Sequence, residues 1–306
     1  MTDPNPPERI PRAGSADDTA GEMSFFDHLD ELRRRIFISL TAIGIGFIVG
    51  FYVSDVAFEF LARPMLDAFE AAGIPADKLI YTSPLGPLRL YITVGLYLGI
   101  VIALPVVLQQ VWMFVAPGLY RHERRAGLSF LFSSVFLFLA GTMFGYYIMM
   151  PMTLEFLISF QGPFTPMISI NEYFDLVLVI LLGLGVVFQL PILIFFLTLF
   201  GIVTPGFLLR NFRYAVLIIA ILAAFITPTT DVLTMSIFMA PMIVLYLLGV
   251  GVSAIVVRRR DMPASRSEAA ARSTGPGMWM VWVIAGLMLL AALVWSYYHF
   301  GWGSLL

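Results

Sequence analysis

Apolar positions along this chain gather into seven long runs, near residues 36–53, 88–111, 128–150, 174–200, 214–226, 232–257 and 278–298. Polar clusters separate them. Most of the runs are long enough to cross a hydrocarbon core about 30 Å thick. Lipid offers backbone amides and carbonyls no partner, so each run is predicted to be a helix. Pro105, Pro191 and Pro241 fall inside runs and are expected to kink them.

The polar stretches between the runs have their own patterns. Residues 1–22 are rich in Pro, Asp and Ser, lack the charged start and apolar run of a cleaved signal peptide, and read as a disordered tail. From Ser24, a candidate helix cap with Asp27 three residues on, Phe25, Leu29, Leu32 and Ile36 recur at helical spacing. Asp27, Asp30, Glu31, Arg34 and Arg35 fall mainly on other faces. This predicts an amphipathic surface helix running into the first span, with an ion pair available between Glu31 and Arg34 or Arg35. The connections 54–87 and 151–173 are long and contain proline; Phe58, Phe60, Leu61, Met65, Leu66 and Phe69 suggest a short helix in the first. After the sixth run comes a Ser/Ala/Arg linker, 258–277, and then a further apolar segment, 278–306. Residues 23–257 thus form one six-span unit with an extra C-terminal transmembrane helix.

Composition supports the membrane reading: 59% of residues are hydrophobic and 12% charged, against roughly a quarter charged in soluble domains. The absence of cysteine excludes disulfides and thiolate chemistry. Charge also sets orientation. With the N-terminus inside, 15 of the 18 cations lie in cytoplasmic segments, and only Arg63, Lys78 and Arg89 lie outside. The positive-inside rule fixes that direction, and seven spans then place Leu306 on the external side.

Motifs for common chemistry are missing. There is no GxxxxGK, HExxH or GxSxG, and His28, His122 and His299 lie far apart, so neither an enzyme nor a cofactor or metal site is expected. The span interiors hold no ionisable residue, which weighs against an ion-coupled transporter. The clearest mid-span polar group is Gln189, expected to tie helices together.

One stretch stands apart: Gln109–Arg125, QQVWMFVAPGLYRHERR, where an apolar run ends, Pro117-Gly118 turns the chain, and a charged knot follows. Its arginines suit retention on the cytoplasmic side. Glu123 adds nothing to that. It either pairs with a neighbouring arginine or serves recognition.

FFDHLDELRRRI, QVWMFVAPGLYRHERR, GIVTPGFLLRNFRY and the FITPTTDV turn together resemble the signatures of the TatC family, the receptor subunit of the twin-arginine translocase, over residues 23–257. The resemblance implies an all-α, cupped bundle of six spans in the bacterial inner membrane. Its cytoplasmic face would receive twin-arginine signal peptides of folded precursors. It would recruit small single-span partners of the TatA/TatB type into homo- and hetero-oligomers, with transport driven by the proton-motive force. It assigns signal contacts to Glu31, Glu123, Arg33 and Phe114, and an outer-turn role to Asp231. Gln189 stands where the family usually has Glu, a departure that keeps polarity and removes a charge.

Physical chemistry agrees with two separate carboxylates. Neighbouring residues of an extended peptide point to opposite sides, so paired arginines suit two acceptors better than one. Carboxylates also favour arginine over lysine, because the guanidinium can pair through two parallel bonds. The alternative is a secondary transporter of a small solute; it predicts internal repeats and charged midplane sites, and neither is found.

Overall fold

The computed structural model describes residues 25–71, 73, 80–115, 127–159, 168–227 and 232–260. The expected tail, the linker beyond Arg260 and the last apolar run lie outside these residues. So do Glu123 and Asp231.

Among the described residues the elements are helices, in the order α1 (Phe25–Ala71), α2 (Gly86–Val115), α3 (Gly127–Phe144), a π-helical turn (Gly145–Met149), α4 (Met150–Ser159), α5 (Ile170–Val187), α6 (Leu190–Leu199), α7 (Pro205–Arg210), α8 (Phe212–Ile226) and α9 (Val232–Arg260). An isolated parallel bridge joins Ile80 to Ser169. Among the described residues, five helical stretches are long and apolar enough to cross a membrane, and α8 is a shorter apolar helix. The chain is an all-α, multi-pass membrane bundle.

The first connection departs from the sequence reading. In place of a separate short helix, α1 continues unbroken to Ala71 and contains Pro64. A proline has no N–H to offer the carbonyl four residues back, here Phe60. The Tyr146 hydroxyl donates to that carbonyl at 2.7 Å, and the Tyr173 hydroxyl donates to the next one, Leu61, at 2.7 Å. Tyr146 thus satisfies the carbonyl that the proline opens, and Tyr173 adds a second bond to the same turn of the helix. The buried Met65 and Phe69 then carry the helix onto the core.

The other prolines mark local adjustments as well. Ahead of Pro151 the helix widens by one π turn, in which the Met150 N–H reaches back to the Gly145 carbonyl. The run expected as one span over 174–200 is interrupted: Phe188 and Gln189 form a tight turn, with Gln189 N–H donating to the Val186 carbonyl at 2.9 Å, and α6 starts with Pro191 in its first turn. Pro105 and Pro241 lie inside α2 and α9 without ending them.

Packing holds α1 against α2 through glycine. A Cβ on Gly46 would lie 2.5 Å from the Gly99 carbonyl oxygen, and one on Gly50 would lie 2.5 Å from that of Gly95. Gly46-xxx-Gly50 therefore faces Gly95-xxx-Gly99, and the helices touch backbone to backbone, a contact that small residues permit between membrane helices. The α6–α9 pair adds a buried hydroxyl bond of 2.6 Å between Thr198 and Ser253. Where α2 and α5 begin, Arg89 and Asp175 form an exposed ion pair at 2.7 Å.

Candidate recognition site

The start of α1 and the end of α2 meet at one end of the bundle. On α1, His28, Glu31, Leu32 and Arg35 lie at spacings of three and four, so they share one helical face. On α2, Gln110, Met113 and Phe114 do the same. The two stripes touch. Arg35 Nη2 donates to Glu31 Oε1 at 2.8 Å, Arg35 Nη1 donates to Gln110 Oε1 at 3.2 Å, and the same nitrogen lies 3.5 Å from Met113 Sδ. One turn earlier, the His28 ring stacks on Phe114 with centroids 4.5 Å apart and planes 17° from parallel.

This is the ion pair that the sequence allows, in its i,i+4 form, and it is largely sheltered: the side chains are 17% exposed for Glu31 and 23% for Arg35. It is also incomplete. Glu31 Oε2 and Arg35 Nε are buried and have no partner among the described residues. An orphaned buried acceptor costs about 1–3 kcal/mol, so an incoming N–H that reached Oε2 would recover that cost. Chemically, the arrangement is a carboxylate with one oxygen filled and the other buried without a partner, one helical turn from an aromatic stack.

The remaining sequence candidates lie elsewhere. Arg33 stands on the opposite side of α1, exposed, with its guanidinium 5.8 Å from the centre of the Phe37 ring, so the structure does not bring it to the Glu31 cluster. Glu123 and Asp231 fall outside the described residues. Gln189, in the turn between α5 and α6, donates from Nε2 to the Ser134 carbonyl on α3 at 3.0 Å, the tie between helices expected of a mid-span amide. It also lines a cavity of about 370 Å³ together with Leu108, Trp112, Leu131, Leu193 and Phe196.

Sequence reasoning passed over His28, Gln110 and Met113. The signal for the last two was a stripe at i, i+3 and i+4 that ends on Phe114; nothing local marked its partner on α1.

A model of the family described as Sec-independent protein translocase protein (TatC) matches residues 27–241 of the chain. The chain is 48% identical over 245 residues to the Sec-independent protein translocase protein TatC of Koribacter versatilis, covering 80% of this chain and 90% of that protein. It is 37% identical over 272 residues to the TatC of Deinococcus radiodurans, covering 87% of this chain and 100% of the relative. A solved structure, described as the crystal structure of the twin arginine translocase receptor TatC, is similar with a TM-score of 0.67 and 35% identity, over 76% of this chain and 100% of that one.

Proposed function

The chain belongs to the TatC family of Sec-independent protein translocase proteins, and from that premise we infer that it is the subunit that receives twin-arginine signal peptides of folded precursors. The observation that carries this reading is the open oxygen of Glu31, buried and unpartnered beside the His28–Phe114 stack. An arginine of the signal supplies the N–H that this oxygen lacks. The second arginine goes to Glu123, an assignment that rests on the motif resemblance alone.

In this reading the Glu31 end of the bundle is cytoplasmic, as the distribution of arginines argues. Small single-span subunits of the TatA/TatB type join the receptor in the membrane, and the proton-motive force drives passage. Co-purification tests the core of it. A precursor carrying RR should be retained by the membrane-extracted protein, and the same precursor carrying KK should be lost. Equal retention of both rejects the assignment.

A further inference from the structure

The ion pair at the start of α1 has a consequence for specificity. A guanidinium outdoes an ammonium at a carboxylate because it can present two parallel N–H groups to two oxygens. Glu31 does not offer two. Its Oε1 already accepts from Arg35 Nη2 at 2.8 Å, and only Oε2 is open. Nor can Arg35 step aside without loss. Its other terminal nitrogen is anchored across the helix pair on Gln110 Oε1 at 3.2 Å, and its Nε is buried without a partner already. Displacing it would break both contacts and strand a sheltered guanidinium. A cation arriving at Glu31 therefore adds to Oε2 and does not replace Arg35.

We propose that Arg35 makes the two signal positions unequal: by occupying one oxygen of Glu31, it confines the cation read there to one-oxygen pairing, and that position takes lysine nearly as well as arginine. The proposal rests on the reading of Glu31 as a signal acceptor given above. Arg35 is in this sense a specificity-determining residue that acts through Glu31. Gln110, 75 residues away in sequence, is the anchor that keeps it in place.

The test uses the full chain in lipid nanodiscs and three synthetic signal peptides, with RR, KR and RK. In the unaltered protein one single-lysine peptide should bind within about threefold of RR, and the other about tenfold or more weaker. Glu31→Gln should weaken all three peptides alike, which identifies the tolerant position as the one Glu31 reads; were Glu31 to read the other position, the poorly bound single-lysine peptide would lose less than RR. Arg35→Gln frees Oε1, and the tolerant position should then prefer arginine by about tenfold. Gln110→Leu keeps both charges of the ion pair and removes only the anchor; it should raise the arginine preference at the same position. It serves as the decisive variant should Arg35→Gln fail to accumulate in the membrane. Equal discrimination at both positions in the unaltered protein overturns the proposal. So does lysine tolerance that neither variant changes. If Glu31→Gln leaves all three affinities untouched, the failure lies instead with the assignment of Glu31 as a signal acceptor.

Discussion

The Tyr146 hydroxyl donates to the Phe60 carbonyl, the group that Pro64 leaves without its helical partner. Removing the hydroxyl in Tyr146→Phe orphans that carbonyl, and should cost about 1–3 kcal/mol toward the lower end, since hydrogen bonds between membrane helices measure weaker than the isolated penalty. Pro64→Ala restores an N–H to the helix. In that background Tyr146→Phe should cost less than about 0.5 kcal/mol. Thermal unfolding of the four proteins in detergent reads the coupling; simple additivity would show that the tyrosine serves some other purpose.

The glycine contact between α1 and α2 gives a prediction with an internal control. Gly46→Ala places a methyl 2.5 Å from the Gly99 oxygen, so the helices must part, at about 1–3 kcal/mol. Gly44→Ala lies on the same helix with nothing within 4 Å and should be neutral or slightly stabilising. Similar losses for the two, read as melting temperatures, would count against a close-packed seam.

Much of this was legible in the sequence. The apolar runs gave the helices, and the spacing of Glu31 and Arg35 gave their ion pair. What failed had a common physical cause. The separate helix expected around Phe58–Phe69 rested on apolar spacing that resumes after the first run ends near residue 53, and what carries one helix through Pro64 includes a hydroxyl 86 residues away from the carbonyl it serves. Gln110 escaped notice for the same reason: its partner is set by packing between helices and not by any local pattern. Phe188–Gln189 was the opposite case, since Pro191 marked a break there that hydropathy alone hid.

The two carboxylates can be tested directly. Glu31→Gln and Glu123→Gln each keep size and remove the charge-assisted part of a hydrogen bond, about 1.5–3 kcal/mol, so each should weaken signal binding roughly tenfold to a hundredfold. An ion pair serving only local order contributes about 0–1 kcal/mol and would leave affinity nearly unchanged. Double-mutant cycles against Arg→Gln at each signal position should couple each glutamate to one arginine. Absence of any coupling removes both from the site.

Helix α8 has 15 residues, about 22 Å of helix against a core of about 30 Å. The bilayer beside it is expected to thin. Spin labels stepped along 212–226 should report a shortened apolar profile. A profile of full thickness removes the expectation.

Topology is accessible because the chain has no native cysteine. Single cysteines at Ser15, Thr82, which is exposed, and Ser304 can be probed with an impermeant reagent. Positions 82 and 304 should label on intact cells, and position 15 only after permeabilisation. Labelling at 304 only after permeabilisation would defeat the seven-span arrangement.

The glycine seam also works as a vernier. Gly46 meets Gly99 and Gly50 meets Gly95, pairs whose numbers each add to 145, and the same total describes Arg35 and Gln110 at the far end of the helix pair. A slip of one glycine step, four residues or about 6 Å, would keep small residues in contact yet set Arg35 opposite Val106 or Phe114, neither of which offers a side-chain acceptor. The depth at which Glu31 stands, and the neighbour that holds its arginine, are thus gauged by four residues without side chains more than 15 Å further along the helix.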